Sequence, residues 1–301
     1  MKLYDCFQFF NELDLLEIRL ELLHEIVDYF VIVESNKTHS NLDKPYLFEE
    51  NLSLFDRYKH KIIYIKETFP EKIFEYKKRQ ETSKKDIIYN QIMNLFEEDS
   101  ENDLKLFETF ARDYLQREYI KMGLIDAEDD DIILISDLDE IPHPRIVEKI
   151  KSEKLYDRCV MMDCHNFFIN NLCHTNWYGS VTTSFSETKN KSLTKIRNQR
   201  VTCEKFSNAG WHLSYVGGKD RIKSKIMSYS HQEYNTTDFL QKIDEKIRDN
   251  KDLFDRKNDK YKDSNQEYFF ESMKSIDLEN YTYPKKILDL IENKFPYLIK
   301  K

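Results

Sequence analysis

The sequence predicts an α/β protein built on a mostly parallel central sheet, and three observations carry that expectation. An amphipathic helix near the N-terminus runs directly into a short, continuously apolar segment, Tyr29-Phe30-Val31-Ile32-Val33, the pattern of a strand covered on both faces. A second such run, Ile132-Ile133-Leu134-Ile135-Ser136, ends abruptly in carboxylates. Segments of helical and strand-like pattern alternate along the chain, as they do in βα units.

Taken in order, the first expected element is the helix. Leu16, Leu20, Leu23 and Val27 recur at helical spacing among Glu17, Arg19, Glu21 and Glu25. The Tyr29 to Val33 strand follows and stops at Glu34-Ser35-Asn36. A second strand is expected at Ile62 to Ile65, then a long charged stretch from Phe69 to Asp103, helical in parts and exposed. Leu104, Phe107, Ala111 and Leu115 mark another helix, and the acidic segment Asp126 to Asp131 leads into the strand at Ile132. Further strands are expected at Cys159 to Met162, Phe167 to Ile169 and Trp211 to Val216. From Thr236 onward the pattern turns helical and highly charged, with a last helix near Pro284 to Asn293. Right-handed crossovers would set the carboxyl ends of the strands along one edge, where such sheets bind ligands.

Composition excludes several classes. The chain is 34% charged, but 40% hydrophobic and 14% aromatic residues are enough for a core across 301 positions, so whole-chain disorder is excluded. Five Gly and six Pro exclude collagen-like and linker-rich designs. A net charge of −8 disfavours a general nucleic-acid binder, although Lys219 to Lys225 form a local basic patch. No apolar run approaches the roughly 18 to 20 residues of a membrane span. Asp5, Asn11, Glu12 and Asp14 interrupt any leader-like stretch, so the expected location is cytoplasmic. Five cysteines, an odd number, suit free thiols in a reducing compartment.

The segment Ser136-Asp137-Leu138-Asp139-Glu140-Ile141-Pro142 is the most informative. Carboxylates that follow a buried strand must emerge at its carboxyl end, and alternation puts Asp137 and Asp139 on one side with Leu138 turned back. Pro142 stiffens the turn. Two converging carboxylates repel one another, and a Mg²⁺ or Mn²⁺ ion with hard oxygen ligands resolves the conflict. Shared with a diphosphate, such an ion would neutralise charge on a departing nucleotide. The pattern alone is equally that of an acidic turn after a strand.

Beyond that cluster the chain resembles glycosyltransferase family 17. The resemblance is carried by Asp5-Cys6-Phe7 with Phe10-Asn11-Glu12, by Leu15-Leu16-Glu17-Ile18-Arg19-Leu20, and by Val27-Asp28-Tyr29-Phe30-Val31-Ile32-Val33-Glu34-Ser35. It continues through Lys44-Pro45, Arg112, Ser136 to Pro142, Gly210-Trp211-His212, Pro284 and Phe295-Pro296-Tyr297. These stretches run in the family's order over nearly the whole chain. The resemblance implies a GT-A-like fold, a nucleotide-sugar donor (UDP-GlcNAc foremost), a glycan acceptor and inversion at the anomeric carbon. It makes Asp137 and Asp139 the aspartates of a D-x-D element, with Asp139 the direct metal ligand and Glu140 supporting it or positioning the sugar. One domain is expected over 1–301, with a nucleotide-binding half at 1–150, an acceptor-side half at 151–235 and a helical region at 236–301.

His212 is the candidate late histidine of the metal site, although imidazole is a borderline partner for Mn²⁺ and a poor one for Mg²⁺; a histidine bonded within the core is the plainer reading. His231 is its substitute. Glu34, Asn36 and Lys37, at a strand's carboxyl edge, are expected to hold the base or ribose, unless they form an ordinary polar loop. Arg112 would clamp a diphosphate or pair with Glu108 one helical turn away. Trp177 and Trp211 would stack on a sugar or fill the core. Cys159, Cys164, His165, Cys173 and His174 match no common zinc spacing, and Asp126 to Asp131 read as a solvated turn. A carboxylate base is required for inverting transfer, and Glu187, Asp163 and Glu233 are the candidates. A sugar-nucleotide hydrolase or nucleotidyltransferase using the same ion, and a silent glycan-binding module, are the alternative functions.

Overall fold

The computed structural model describes residues 1–100, 108–258 and 266–301. Among the described residues ten strands form one mixed sheet: β1 (Leu3–Gln8), β2 (Tyr29–Ser35), β3 (Ile62–Glu67), β4 (Ile132–Asp137), β5 (Glu140–Pro142), β6 (Arg158–Asn166), β7 (Asn171–Ser184), β8 (Glu204–Phe206), β9 (Gly210–Ser214) and β10 (Lys274–Ser275). The order is β3-β2-β1-β4-β7-β6-β9-β5, with β8 on β6 and β10 on β7. β3, β2, β1 and β4 are mutually parallel. β7 runs antiparallel to β4 and β6, β9 is parallel to β6, and β5 closes the edge antiparallel to β9. The strand order reverses at β1 and β4, and the carboxyl ends flanking such a switch point bound the ligand crevice of an open α/β sheet.

The helices are α1 (Leu13–Leu23), α2 (Leu47–Glu50), α3 (Lys84–Asp99), α4 (Glu108–Glu118), α5 (Pro144–Glu153), α6 (Phe185–Thr188), α7 (Leu193–Asn198), α8 (Lys219–Ser228), α9 (Thr237–Asp249) and α10 (Lys285–Lys294). The period-2 alternation of each strand divides the core between the two faces of the sheet. Tyr4, Cys6, Ile133 and Ile135 face a layer containing Ile92, Phe96, Leu115 and Leu193 from α3, α4 and α7. Leu3, Phe7, Ile132 and Leu134 face Leu16, Leu20, Val147 and Ile150 from α1 and α5. Residues buried on both faces account for the unbroken apolar runs. A third cluster packs Ile287 and Ile291 of α10 against Trp211 and against Leu15 and Ile18 of α1.

Three features depart from the sequence reading. The chain opens with β1, not with α1. Asp5 breaks the apolar pattern there, but it is fully buried because Arg19 pairs with it. Phe167 to Ile169 is no strand: it is the turn between β6 and β7, with Phe167 at φ 69° and Ile169 N–H bonded to Leu298 O at 2.9 Å. Its apolar side chains are buried against later parts of the chain, Phe167 with Ile222, Ile226 and Ile243 of α8 and α9 and Ile169 with Phe295 and Leu298. The charged stretch after Phe69 is exposed on one side only, since Tyr89, Ile92, Met93 and Phe96 of α3 are buried. Leu104 and Phe107 lie outside the described residues, whereas Ala111 and Leu115 are buried on α4. Among the described residues, no helix is long and apolar enough to cross a membrane.

Candidate active site

The acidic turn is built from below by a fully buried ion pair. The Arg19 guanidinium of α1 is held by both oxygens of Asp5, at 2.8 and 2.5 Å. It donates to the carbonyls of Asp137, Leu138 and Glu140 at 3.0, 3.0 and 2.8 Å. Saturating these carbonyls with one rigid fork fixes the backbone between β4 and β5, because unpaired polar groups there would be costly. Gly210 permits the opposite wall to close in: a Cβ there would lie 2.4 Å from Ile141 O and 2.8 Å from Pro142 Cα. The approach pairs Glu140 with His212 across β5 and β9.

From this frame the three acidic side chains part. The Asp137 carboxylate meets Arg197 at 2.8 Å and Arg117 at 3.3 Å. Asp139 accepts from Lys225 at 2.7 Å, and its other oxygen lies 3.7 Å from His212 Nε2. Glu140 turns inward, gripped by Arg197 at 2.7 and 2.8 Å and by Trp177 Nε1 at 3.1 Å. Burial alone would raise all three carboxyl pKa values. The surrounding cations outweigh it, chiefly Arg197 for Asp137 and Glu140 and Lys225 for Asp139, so each lies below its ordinary value.

His212 is pushed the other way, its pKa lowered by burial despite the nearby carboxylates, which favours the neutral, ligating form. Its ring stacks on Trp177 at 5.0 Å and 28°, and Nδ1 lies 3.6 Å from Cys164 Sγ, leaving Nε2 toward Asp139. An O···N separation of 3.7 Å suits two ligands of one cation, each roughly 2.1 Å from it. Among the described residues no three His, Cys, Asp or Glu side chains form a ready-made cation cage. An incomplete protein shell leaves coordination positions for substrate phosphates, and the imidazole suits Mn²⁺ better than Mg²⁺.

Asp137, Asp139 and His212 line a cleft of about 550 Å³ at the carboxyl ends of β1, β2 and β4. Lys37, Lys44, Arg117, Arg197, Arg200, Lys225 and Arg256 outnumber Glu12, Asp113, Asp137 and Asp139 on its walls. The surplus of positive charge suits a polyanion such as a diphosphate.

Other residues singled out from sequence are spread more widely. Lys37 lines the cleft, paired with Asp43 and Glu71, each at 2.8 Å. Glu34 is fully buried and holds Lys44 Nζ at 2.8 Å, Tyr64 OH at 3.0 Å and Phe48 N at 3.1 Å. Asn36 accepts from Phe69 N at 2.8 Å. Neither Glu34 nor Asn36 borders the cleft; both shape the loop that carries Lys37. Arg112 donates to Glu71 O at 3.0 Å and to Glu108 at 3.1 Å, away from the cleft; Arg117, further along α4, is the guanidinium that reaches the acidic turn.

His231 lies on the cleft's rim, 2.8 Å from Glu233. Asp163 is half-buried and hydrogen-bonded to Tyr281, and burial raises its pKa. Glu187 is exposed beside Lys191 at 2.6 Å. Trp177 lines the cleft, whereas Trp211 stacks on Tyr283 at 4.6 Å in the core. The cysteines are all free, and Asp131 is a buried anchor for the N–H groups of Lys2 and Glu128. The sequence reading missed Arg117, Arg197, Arg200 and the Asp5–Arg19 brace. A weak signal was present: Arg197 and Arg200 are three residues apart, and Lys225 belongs to the basic patch noted above.

An α/β sheet with paired aspartates at its switch point, facing a cation-lined cleft, has the layout of a GT-A-like glycosyltransferase. The chain matches Glycosyltransferase family 17 over residues 1–75 and 66–300, and it belongs to that family. No curated protein matches it. Among solved structures it is similar to glucosyl-3-phosphoglycerate synthase from Mycobacterium tuberculosis, crystallised with Mn²⁺, UDP and phosphoglyceric acid, at 12% identity and a TM-score of 0.24. That match covers 56% of this chain and 43% of the synthase chain.

Proposed function

We propose that the chain is a divalent-cation-dependent, inverting glycosyltransferase that moves GlcNAc from UDP-GlcNAc to a hydroxyl of a glycan. The observation that carries this reading is the pairing of Asp139 with His212, whose pKa burial lowers, on the wall of a cationic cleft. Asp139 and His212 would hold Mn²⁺ or Mg²⁺, with Asp137 alongside. A cation bound there supplies charge neutralisation for the departing nucleoside diphosphate. Arg117 and Arg197 fix the Asp137 carboxylate, and Arg200 and Lys225 present positive charge to phosphate oxygens within the cleft. The choice of sugar follows the family resemblance, which puts UDP-GlcNAc foremost among the donors. The acceptor is a glycan hydroxyl, whether on a polysaccharide, a glycolipid or a glycoprotein. Of the three carboxylates considered as base, Glu233 alone stands at a cavity adjoining the cleft, and it is assigned that role.

The test is release of nucleoside diphosphate from a panel of sugar nucleotides with Mn²⁺, Mg²⁺ or EDTA, using wild type and Asp139→Ala. The expected outcome is metal-dependent turnover of UDP-GlcNAc that falls on the order of a hundredfold in the variant. Turnover that survives both EDTA and the substitution would remove the assigned role of Asp139. Release unaffected by any glycan acceptor would make the protein a sugar-nucleotide hydrolase instead.

A further inference from the structure

A second cavity of about 480 Å³ opens beside the cleft and shares Tyr215, Tyr229, His231, Phe254 and Arg256 with it. Its character differs. Phe254 meets Tyr215 edge-on at 5.4 Å and Tyr234 edge-on at 4.7 Å, and Tyr229, Tyr234 and Phe254 are all partly exposed. The charges are balanced, with Glu233 and Asp255 against Arg256 and Lys257. Both cations are engaged: Arg256 by Asp252 at 2.6 Å and Lys257 by Glu271 at 3.6 Å. A cavity with aromatic walls and balanced charge suits a ligand with an apolar face and a hydroxylated edge, not a phosphate.

The join between the two cavities is built around Tyr215, which follows β9 directly. Its backbone is left-handed at φ 53°, and Gly217 and Gly218 continue at φ 104° and 91°. A bulky residue held in that region is strained, and such strain persists where the surrounding structure fixes it, commonly at ligand sites. Lys225 Nζ lies 5.4 Å from the Tyr215 ring centre while bonded to Asp139. Tyr215 therefore borders both the Lys225–Asp139 pair of the cleft and the aromatic cavity.

We propose that this second cavity is the acceptor subsite. It would take a neutral pyranose of a glycan with its C–H face against Tyr234 and Phe254, and its reacting hydroxyl beside Glu233, on the side of the cavity that Tyr215 and His231 share with the cleft. The proposal rests on reading the neighbouring cleft as the donor site. Saturation-transfer NMR with the methyl β-glycosides of glucose, galactose, mannose and GlcNAc tests it on wild type, Tyr234→Ala and Phe254→Ala. UDP binding with Mn²⁺ is measured on the same samples by calorimetry. The expected result is transfer to the ring C–H protons of at least one glycoside, reduced about fivefold or more in both variants. UDP affinity and melting temperature should stay at wild-type values in Tyr234→Ala. Tyr234→Leu, which keeps bulk but loses the aromatic face, guards against an effect of unfolding and should show the same loss. Absence of transfer in wild type, or undiminished transfer in the folded variants, overturns the proposal. Failure of UDP to bind would instead overturn the donor reading and leave the glycoside result to decide this one.

Discussion

Replacing Arg197 with Met removes one cation from beneath two carboxylates and keeps most of the side-chain volume. Arg197 makes hydrogen bonds to Glu140 at 2.7 and 2.8 Å and to Asp137 at 2.8 Å. The Glu140 side chain is 1% exposed, so after the substitution its charge would be compensated chiefly by Trp177 N–H, the Asp137 N–H and the more distant Arg200. Breaking a buried pair by removing one partner costs about 3–5 kcal/mol, which in a chain of this size lowers the melting temperature by roughly 5–10 °C. The pH dependence makes the reasoning specific. In the wild type, Glu140 has a folded pKa below its ordinary value, because Arg197 outweighs the effect of burial. The stability from this pair is present above the unfolded pKa and is lost as pH falls through the folded one. In the variant, burial would push the carboxyl upward, so its charge becomes a penalty above the unfolded pKa that protonation relieves. Urea unfolding of both proteins from about pH 8 to pH 5 should show a deficit that is largest at the alkaline end and shrinks toward the acid end. Arg197→Met with Glu140→Gln should recover a large part of it. A deficit that is constant with pH, or below about 1 kcal/mol at pH 8, would refute the argument.

Arg19→Lys should cost about 3 kcal/mol or more, since an ammonium cannot serve Asp5 and three carbonyls at once. Turnover number should fall further than UDP affinity does, because the acidic turn is mispositioned while the cleft's cations remain; equal losses in both would argue for simple unfolding. Glu67 has its pKa raised to about 7, mainly by burial. The folded state keeps a proton that the unfolded state has already lost, so stability should fall as pH rises from about 4.5 to 7, by up to about 3 kcal/mol in total. Glu67→Gln should abolish that slope in urea titrations, and an unchanged slope would assign it to other groups.

Much of the fold was legible because apolar runs in a parallel sheet are self-announcing. Phe30 to Val33 and Ile132 to Ile135 are buried on both faces, and nothing but such burial keeps both faces of a strand apolar. The acidic turn was legible for the complementary reason, that carboxylates directly after a buried strand have one place to emerge. β1 escaped notice because its central position is Asp5, and the partner that makes Asp5 tolerable lies 14 residues away. The Phe167 to Ile169 turn was misread because hydrophobicity reports burial, and burial against distant helices and the C-terminal segment looks the same in sequence as burial in a sheet. Glu34 and Arg112 drew attention by position and type. Their side chains are occupied by Lys44, Tyr64 and Glu108, which the order of residues does not disclose.

By itself the sequence determined the α/β class, the strand that carries Asp137 and Asp139, the side on which those two aspartates emerge and, through motifs spread along the whole chain, the family. Local periodicity and chain order are enough for these, since each follows from residues within a few positions of one another or from their succession. Tertiary structure alone decided that Arg117, Arg197 and Lys225 meet the acidic turn, that Glu140 turns inward while Asp139 faces His212, and that an aromatic cavity adjoins the cleft. Those contacts join residues 20, 60 and 86 positions apart. Whether a given Arg or Lys is a solvated surface charge or the counter-ion of a buried carboxylate depends on where the sheet and its helices bring it.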